Sequence, residues 1–144
     1  MLRKILVAVD GSAESNRALD VALELARALQ GEVGILHVFH LPEQVVSRSG
    51  KVGHVLDKVR TFVEEGGREA LEQARARAAE AGVPHEVKEA WGHPADEICR
   101  EAGEGHYDLI VMGSRGLSPV ETWLLGSVSQ RVVRRAPCSV MIVR

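Results

Sequence analysis

The chain has 144 residues, of which 45% are hydrophobic and 26% are charged, and this predicts a single globular domain over residues 1–144. Its formal net charge of −2 argues against a general attraction to nucleic acid or membranes, and no apolar stretch approaches the roughly 20 residues that cross a bilayer. Its two cysteines, Cys99 and Cys138, lack CxxC spacing and suit small buried thiols in a reducing cytoplasm.

The first part of the chain has the pattern of a strand, a helix and a second strand. The run KILVAVD, residues 4–10, is apolar up to its final acid, as is typical of a strand covered on both faces. Ser12 then predicts a helix N-cap, and Gly31 predicts the end of that helix. Its predicted buried stripe comprises Ala18, Val21, Ala22, Leu25 and Leu29. The run VGILHVFH, residues 33–40, predicts the second strand.

The rest of the chain continues this alternation. Predicted helices cover residues 55–81, a short segment from Pro94, and Ser127–Arg135. Predicted strands cover residues 85–90, residues 107–113 and Ser139–Val143. Alternating strands and helices predict a parallel sheet with helices on both faces and right-handed crossovers.

The longest predicted helix contains an unusual pair of glycines. Its predicted inner side comprises Val55, Val59, Phe62, Ala70, Ala74 and Ala78. Gly66 and Gly67 lie in the helix interior, where each costs about 1 kcal/mol relative to alanine. A kink, a close packing contact and a hinge are three open explanations for them.

The segment MGSRGLSPVETWLLGSVSQ, residues 112–130, places glycines and serines directly after the fourth predicted strand. In open α/β sheets, ligands bind beyond the carboxyl ends of the strands. Gly113 and Gly116 allow positive φ angles, so that backbone amides can converge on an anion. Gly126 and Ser127 then open a helix whose first amides favour a phosphate. The segment predicts a phosphate-binding loop, with plain turn formation as the alternative.

With these strands, helices and the glycine-rich segment, the whole chain resembles the universal stress protein (UspA-like) family, specifically its ATP-binding branch. The resemblance is carried by ILVAVDGSAESNRALDVALELA, by LHV in the second strand, by YDLIVMGSRG and by LLGSVSQRVVRRAPCSVMIV. Residues 113–127 match the family's nucleotide signature G-x2-G-x9-G-S/T. The resemblance implies an open five-stranded parallel sheet of order 3-2-1-4-5, a Rossmann-like fold of the adenine nucleotide alpha hydrolase type.

The resemblance also implies a binding site, a cofactor and an assembly. Contacts to phosphate and ribose are implied for Gly113, Ser114, Arg115, Gly116, Gly126, Ser127, Val128 and Ser129. Contacts on the adenine and ribose side are implied for Ala8, Val9, Asp10, Val38 and Met112. The implied cofactor is ATP, or ADP or AMP, with Mg²⁺ or Mn²⁺. The implied assembly is a homodimer through Ser139–Val143, whose edge would otherwise be an exposed pairing template. An unidentified protein partner is also implied.

The nine-residue insert of the signature departs from the commoner family pattern. Where many members carry glycine and basic residues, this chain has LSPVETWLL. Pro119 stiffens the insert and Trp123 is interpreted as a packing residue. Glu121 could face water, help to hold a divalent metal or weaken triphosphate binding. The irregular residues 41–54 are a candidate lid over the ligand.

Several candidate residues have a purely structural alternative. Asp10 could initiate the helix instead of contacting ribose or a metal-bound water, and Ser12 is better explained as a cap than as a ligand. Arg115 could bind phosphate through its planar guanidinium or lie in solvent. The histidines are not spaced as a metal site, since His37 and His40 are three apart on a predicted strand and point to opposite faces.

Three functions remain open from the sequence. The first is a nucleotide-dependent stress-response signalling module with at most slow hydrolysis, since the chain has no Walker A sequence and no P-loop lysine. The second is a dimeric interaction module that binds no nucleotide. The third is an ATP hydrolase or nucleotidyltransferase, which would require turnover well above background with Mg²⁺.

Overall fold

The structure, a computed structural model, describes residues 2–41, 53–115 and 125–144, and it confirms the predicted alternation of strands and helices there. In chain order the elements are β1 (Lys4–Ala8), α1 (Ala13–Leu29), β2 (Glu32–Phe39), α2 (Gly53–Ala81), β3 (His85–Trp91), α3 (Pro94–Glu104), β4 (Leu109–Gly113), α4 (Ser127–Arg135) and β5 (Ser139–Val143). β1 ends before Asp10 because the Asp10 amide donates to Ser15 Oγ at 3.2 Å. β4 begins after Tyr107 because the Tyr107 amide still closes the turn after α3.

Five parallel strands form one sheet in the order β3-β2-β1-β4-β5, as the family resemblance implies. β1 lies at the centre, where Ile5 pairs with Val33 of β2 and with Leu109 of β4. The chain leaves β1 towards one face of the sheet and leaves β4 towards the other. A crevice therefore opens between the carboxyl ends of these two strands, which is where ligands bind in such sheets.

Two apolar cores cover the two faces of the sheet. α1 and α2 pack on one face, against Ile5 and Val7 of β1. α3 and α4 pack on the other face, against Leu6 of β1 and Ile110 of β4. Because successive side chains of a strand point to opposite faces, burial on both sides explains the continuous apolar runs of the central strands.

The buried face of α1 is rotated relative to the predicted stripe. Its buried apolar residues are Ala18, Leu19, Ala22, Leu23 and Ala26. Of the remaining predicted members, Val21 and Leu25 are half-buried and Leu29 is 40% exposed. The prediction was partly wrong because the helix carries two overlapping apolar stripes, and packing against α2 and the sheet decides which of them is covered.

The predicted inner side of α2 is confirmed only in its second half. Ala70, Ala74 and Ala78 are buried, whereas Val55 is 43% exposed and Phe62 is 78% exposed. The 29 residues of α2 form a helix about 44 Å long, whereas the 8 residues of β2 span about 26 Å. The first turns of α2 therefore extend past the sheet that would bury them.

Close approach explains two glycines. A Cβ on Gly67 would collide with the rings of His37 and Phe39, so a packing contact is the correct explanation for this glycine. α1 ends with Gln30 in a left-handed conformation, at a φ of 54°, which places the helix cap one residue before the predicted Gly31. Gly31 is needed for space instead, because its Cβ would lie 2.9 Å from the Arg3 carbonyl carbon.

Two predicted features fall outside the described residues. They are most of the candidate lid, residues 42–52, and the insert with Pro119, Glu121 and Trp123. Across the three described ranges, no helix has the length and apolar character needed to span a bilayer. Cys99 and Cys138 are free thiols, partly buried against the core that α3 and α4 form.

Candidate functional site

A cavity of about 160 Å³ opens at the carboxyl ends of β1, β2 and β4. These strands supply its floor, and the first turns of α3 and α4 supply parts of its wall. The cavity therefore lies at the point where the connections from β1 and β4 diverge to opposite faces. This is the position at which the sequence predicts a ligand.

The structure brings most of the predicted site residues together. Those that line the cavity are Ala8, Val9, Asp10, Val38, Met112, Gly113, Arg115, Val128 and Ser129. Ser114 is buried beside the cavity, and Gly126 and Ser127 begin α4 next to it, with the Gly126 amide donating to the Ser114 carbonyl at 2.6 Å. Gly116 lies outside the described residues.

The loop after β1 is held by hydrogen bonds within its own short sequence. Gly11 adopts a left-handed φ of 84°, and Asp10 Oδ1 accepts from the Ser12 amide at 2.9 Å. Ser12 Oγ caps α1 by accepting from the Ser15 amide at 3.1 Å. The predicted cap at Ser12 is therefore confirmed, and one carboxylate oxygen of Asp10 stabilises the turn.

The described start of the loop after β4, Ser114 and Arg115, is instead held by residues from other elements. The Ser114 amide donates to the Val143 carbonyl of β5 at 2.9 Å. Ser129 Oγ of α4 lies 2.9 Å from the Gly113 carbonyl oxygen and 3.2 Å from that of Ser114. The Ser129 hydroxyl, which the resemblance assigns to the ligand, therefore links α4 to the loop in this structure.

The two described signature glycines provide space rather than a positive φ angle. Gly113 ends β4, and a Cβ there would lie 3.0 Å from the Cβ of Glu14. Gly126 has an extended conformation with a φ of −64°, and its Cβ would lie 3.3 Å from the Ser114 carbonyl oxygen. The expectation of a positive φ at Gly113 was wrong, because a neighbouring helix, and not a tight turn, requires the glycine.

A buried carboxylate that sequence analysis missed lies against this loop. Glu14, in the first turn of α1, is 7% exposed. Its Oε2 accepts from the Ser114 hydroxyl at 2.6 Å and from the Arg115 amide at 3.0 Å, and its Oε1 accepts from Arg115 Nε at 2.5 Å. Donors that the resemblance assigns to phosphate therefore contact an internal carboxylate. The available signal was an acid in the first turn of a helix that begins at the ligand edge of the sheet.

The environment of Glu14 keeps its carboxylate ionised at neutral pH. Burial by itself raises the pKa of Glu14, but the hydrogen bonds from Ser114 and Arg115 and the charge of Arg115 outweigh it and leave the pKa below its usual value. Arg17 Nη2 lies a further 3.7 Å from Glu14 Oε1. Hydrogen bonds to an ionised acceptor are stronger than those to a neutral acceptor, so the Glu14 carboxylate stabilises the positions of Ser114 and Arg115.

The first turn of α4 forms part of the wall of the cavity. Its N-cap is Gly126, which has no side chain to cap the helix, and Val128 and Ser129 line the cavity. The first amides of a helix have no intrahelical partner, and the helix dipole adds positive potential at this end. The wall formed by α4 is therefore suited to an anion.

Other residues of the cavity were not predicted as part of the site. Leu36 and His37 of β2 and Pro94 and Ile98 of α3 also line it. His37 Nδ1 lies 2.7 Å from the Val9 carbonyl oxygen, and since a carbonyl only accepts, Nδ1 carries the proton and donates. His37 thereby links β2 to the end of β1. The α3 residues could not be identified from spacing, because only the crossover places that helix over the cavity.

Charged groups beyond the cavity form ordinary ion pairs. Arg131 Nη2 and Arg135 Nη1 of α4 lie 3.7 and 3.2 Å from Asp96 Oδ1 of α3, so they join the two helices. Among the described residues, no group of three or more His, Cys, Asp or Glu side chains is arranged to hold a metal ion.

Comparison with known proteins agrees with this arrangement. A model of the universal stress protein family matches residues 1–144. The chain is 45% identical over 150 residues to universal stress protein YxiE of Bacillus subtilis (strain 168), covering 100% of both chains.

Among solved structures, the chain is similar to a universal stress protein in complex with cAMP, at 31% identity and a TM-score of 0.73, covering 99% of this chain and 97% of that one. It is also similar to an Arabidopsis thaliana universal stress protein family protein with AMP bound, at 27% identity and a TM-score of 0.70, covering 98% of this chain and 90% of that one. The sequence match over the full chain and the shared five-stranded fold lead to one conclusion: the chain belongs to the universal stress protein family.

Proposed function

We propose that the protein binds an adenine nucleotide in the cavity at the carboxyl ends of β1, β2 and β4, and acts as a nucleotide-dependent regulatory module in a stress response. The observation that carries the proposal is the meeting of the loops after β1 and β4 with the first turn of α4 around one cavity. Two similar proteins, solved with cAMP and with AMP, support the same class of ligand.

The apolar part of the cavity suits the adenine ring. Val9 and Met112 are buried, and Ala8 and Val38 join them in the lining. Sites for small molecules are typically apolar, with a few polar groups that fix the orientation of the ligand. Asp10, at the rim between the two loops, leaves one carboxylate oxygen for a ribose hydroxyl or a metal-bound water, since Oδ1 already accepts from the Ser12 amide.

The polar end of the cavity suits the phosphates. The amides of the first turn of α4 supply positive potential there, and Arg115, whose guanidinium donates to Glu14, lines the same end. The proposed ligand is ATP, with ADP and AMP as alternatives. A Mg²⁺ or Mn²⁺ ion would be held chiefly by phosphate oxygens, with Asp10 reaching it through water.

Any hydrolysis by this site is proposed to be slow. Efficient phosphoryl transfer needs a group that orients the attacking water and cations that clamp the γ-phosphate. The sequence has no Walker A motif. Arg115, the cationic side chain in the described lining, already donates to Glu14. The geometry therefore favours a nucleotide-binding regulator over an enzyme.

We also propose that the protein is a homodimer through β5. Ser139–Val143 is an edge strand, in which Ser139 is exposed and the other four residues are partly buried. An unpaired edge is a template for pairing with a second chain. This observation also favours the second candidate function, a dimeric interaction module without nucleotide. Denaturing the purified protein and looking for released adenine nucleotide separates the two candidates.

Calorimetric titration with AMP and with ATP plus Mg²⁺ tests the proposed site. With wild type, the heat of injection should saturate at one nucleotide per chain. Gly113→Val should abolish binding, because the new side chain would occupy the space beside Glu14 and displace the loop after β4. Gly126→Val should do the same, because it would press on Ser114 and Arg115.

A matched control comes from the long helix. Gly66→Val introduces the same side chain where a Cβ meets none of the described atoms within 4 Å, so it should bind nucleotide like wild type. Unchanged binding by both loop variants would exclude the assigned site.

A further inference from the structure

Glu14 contacts the signature loop although it lies 100 positions before it in the sequence. We propose that Glu14 is a positioning residue, whose buried carboxylate holds Ser114 and Arg115 in the conformation that receives the nucleotide phosphates. This inference rests on the proposed nucleotide site and assigns a function to a residue outside its signature.

The hydrogen bonds of Glu14 fix three different parts of the loop. Oε2 accepts from the Ser114 hydroxyl and from the Arg115 backbone amide, at 2.6 and 3.0 Å. Oε1 accepts from the Arg115 guanidinium at 2.5 Å. One carboxylate thus sets a side chain, a peptide plane and the direction of a long cation, which would otherwise have several rotamers.

Packing couples Glu14 to the first glycine of the signature. A Cβ on Gly113 would lie 3.0 Å from the Glu14 Cβ and 3.1 Å from its carbonyl carbon. Glycine at this position lets the first turn of α1 approach β4 closely enough for the carboxylate to reach the next two residues. The requirement for glycine and the requirement for a carboxylate are therefore parts of one arrangement.

The alternative is that Glu14 competes with phosphate for Arg115. The two ideas predict opposite effects of removing the charge. If Glu14 positions the loop, a neutral side chain weakens nucleotide binding, whereas if Glu14 competes, a neutral side chain strengthens it. The geometry favours positioning, because Glu14 also holds a hydroxyl and a backbone amide that belong to the loop itself.

The first test needs no nucleotide. Amide hydrogen exchange is measured for wild type, Glu14→Gln and Glu24→Gln, the last removing an exposed acid from the same helix. In Glu14→Gln the Arg115 amide should exchange about tenfold faster or more, because an amide nitrogen replaces one of the accepting oxygens. The amides of β1 and β2 should keep their protection in all three proteins. Equal exchange at Arg115 in wild type and Glu14→Gln would overturn the proposal.

The second test measures AMP affinity by calorimetry at pH 7. Glu14→Gln should raise the Kd about ten- to a hundredfold, and Glu24→Gln should leave it unchanged. Glu14→Asp, which keeps the charge on a shorter side chain, should recover part of the loss. Combining Glu14→Gln with Ser114→Ala should cost less than the sum of the two single changes, because the two side chains share one hydrogen bond. Equal or tighter binding by Glu14→Gln would overturn the proposal.

These measurements separate the inference from the proposed function. If wild type binds no adenine nucleotide, the proposed function fails and the phosphate part of this inference fails with it, while the exchange result still decides whether Glu14 orders the loop. If Glu14→Gln does not fold, Ser114→Ala alone removes the 2.6 Å bond and should raise the Kd about threefold or more. An unchanged Kd for that variant would contradict the inference.

Discussion

The two loops that form the cavity are stabilised in different ways. The loop after β1 is closed by Asp10, Ser12 and Ser15, which lie within six consecutive residues. The loop after β4 depends on Glu14 of α1 and Val143 of β5, which are far from it in the sequence. One loop is therefore organised locally, whereas the described residues of the other, Ser114 and Arg115, are organised by the assembled fold.

This difference has a functional consequence. A locally closed loop forms whenever the adjacent helix forms, and it would give the proposed nucleotide a fixed wall. Residues held by distant elements adopt their conformation only when those elements are packed. Ser114 and Arg115 are therefore ordered only when α1, α4 and β5 are all in place. Changes aimed at each loop should therefore separate local stability from nucleotide binding.

The largest effect is expected at the contact between α1 and β4. Gly113→Val should reduce the free energy of unfolding by about 3 kcal/mol, because the side chain must displace Glu14 or the Arg115 carbonyl oxygen, which lies 3.2 Å from a Cβ there. Urea unfolding followed by circular dichroism measures the change, with Gly66→Val as the control. A decrease in the free energy of unfolding of less than about 1 kcal/mol would show that the residues around Gly113 can move to accommodate a side chain. That result would contradict the proposed difference between the loops.

A smaller effect is expected in the locally closed loop. Ser12→Ala removes the acceptor for the Ser15 amide, 3.1 Å away, and should cost about 1 kcal/mol of stability. Its affinity for AMP should change less than threefold, because the loop after β4 keeps all of its partners. Urea unfolding and calorimetry on the same preparation provide both values. A large loss of affinity would mean that the loop after β1 also positions the phosphates.

The smallest expected effect is a component of the acid sensitivity of the fold. Because the pKa of Glu14 is lowered in the folded state, the unfolded chain takes up this proton more readily than the folded chain does. The stabilisation is therefore fully present above the ordinary glutamate pKa of about 4.3, and it is lost as the pH falls through the lower folded pKa. The groups that face Glu14 are Ser114, Arg115 and Arg17.

Comparison of variants isolates this component. The free energy of unfolding should decrease less between pH 7 and about pH 4 in Glu14→Gln than in wild type. In Ser12→Ala it should decrease as much as in wild type. An equal fall in wild type and Glu14→Gln would show that Glu14 contributes nothing to the acid response.

Local patterns were sufficient for the alternation of the elements and for several of their ends. The Ser12 cap, the start of α3 at Pro94 and the bounds of α4 follow from interactions within one or two helical turns, and the structure confirms them. The strand order follows from the resemblance to a family, which matches the whole chain. The positions of Asp10 and Met112 at one cavity follow from parallel strands whose carboxyl ends meet at one edge.

Tertiary contacts alone decided the remaining features. Which of two apolar stripes of α1 is buried depends on where α2 and the sheet lie. Phe62 is exposed because the first turns of α2 extend past the sheet. Glu14 looks like an ordinary acid in a first helical turn until α1 packs beside β4 and brings it to Ser114. The sequence by itself determined what acts over a few residues, namely the Ser12 cap, the alternation of strands and helices and the bounds of α4, because those interactions close within one or two helical turns. Only the folded structure determined burial and the carboxylate beneath the loop, because these interactions join groups about 100 positions apart.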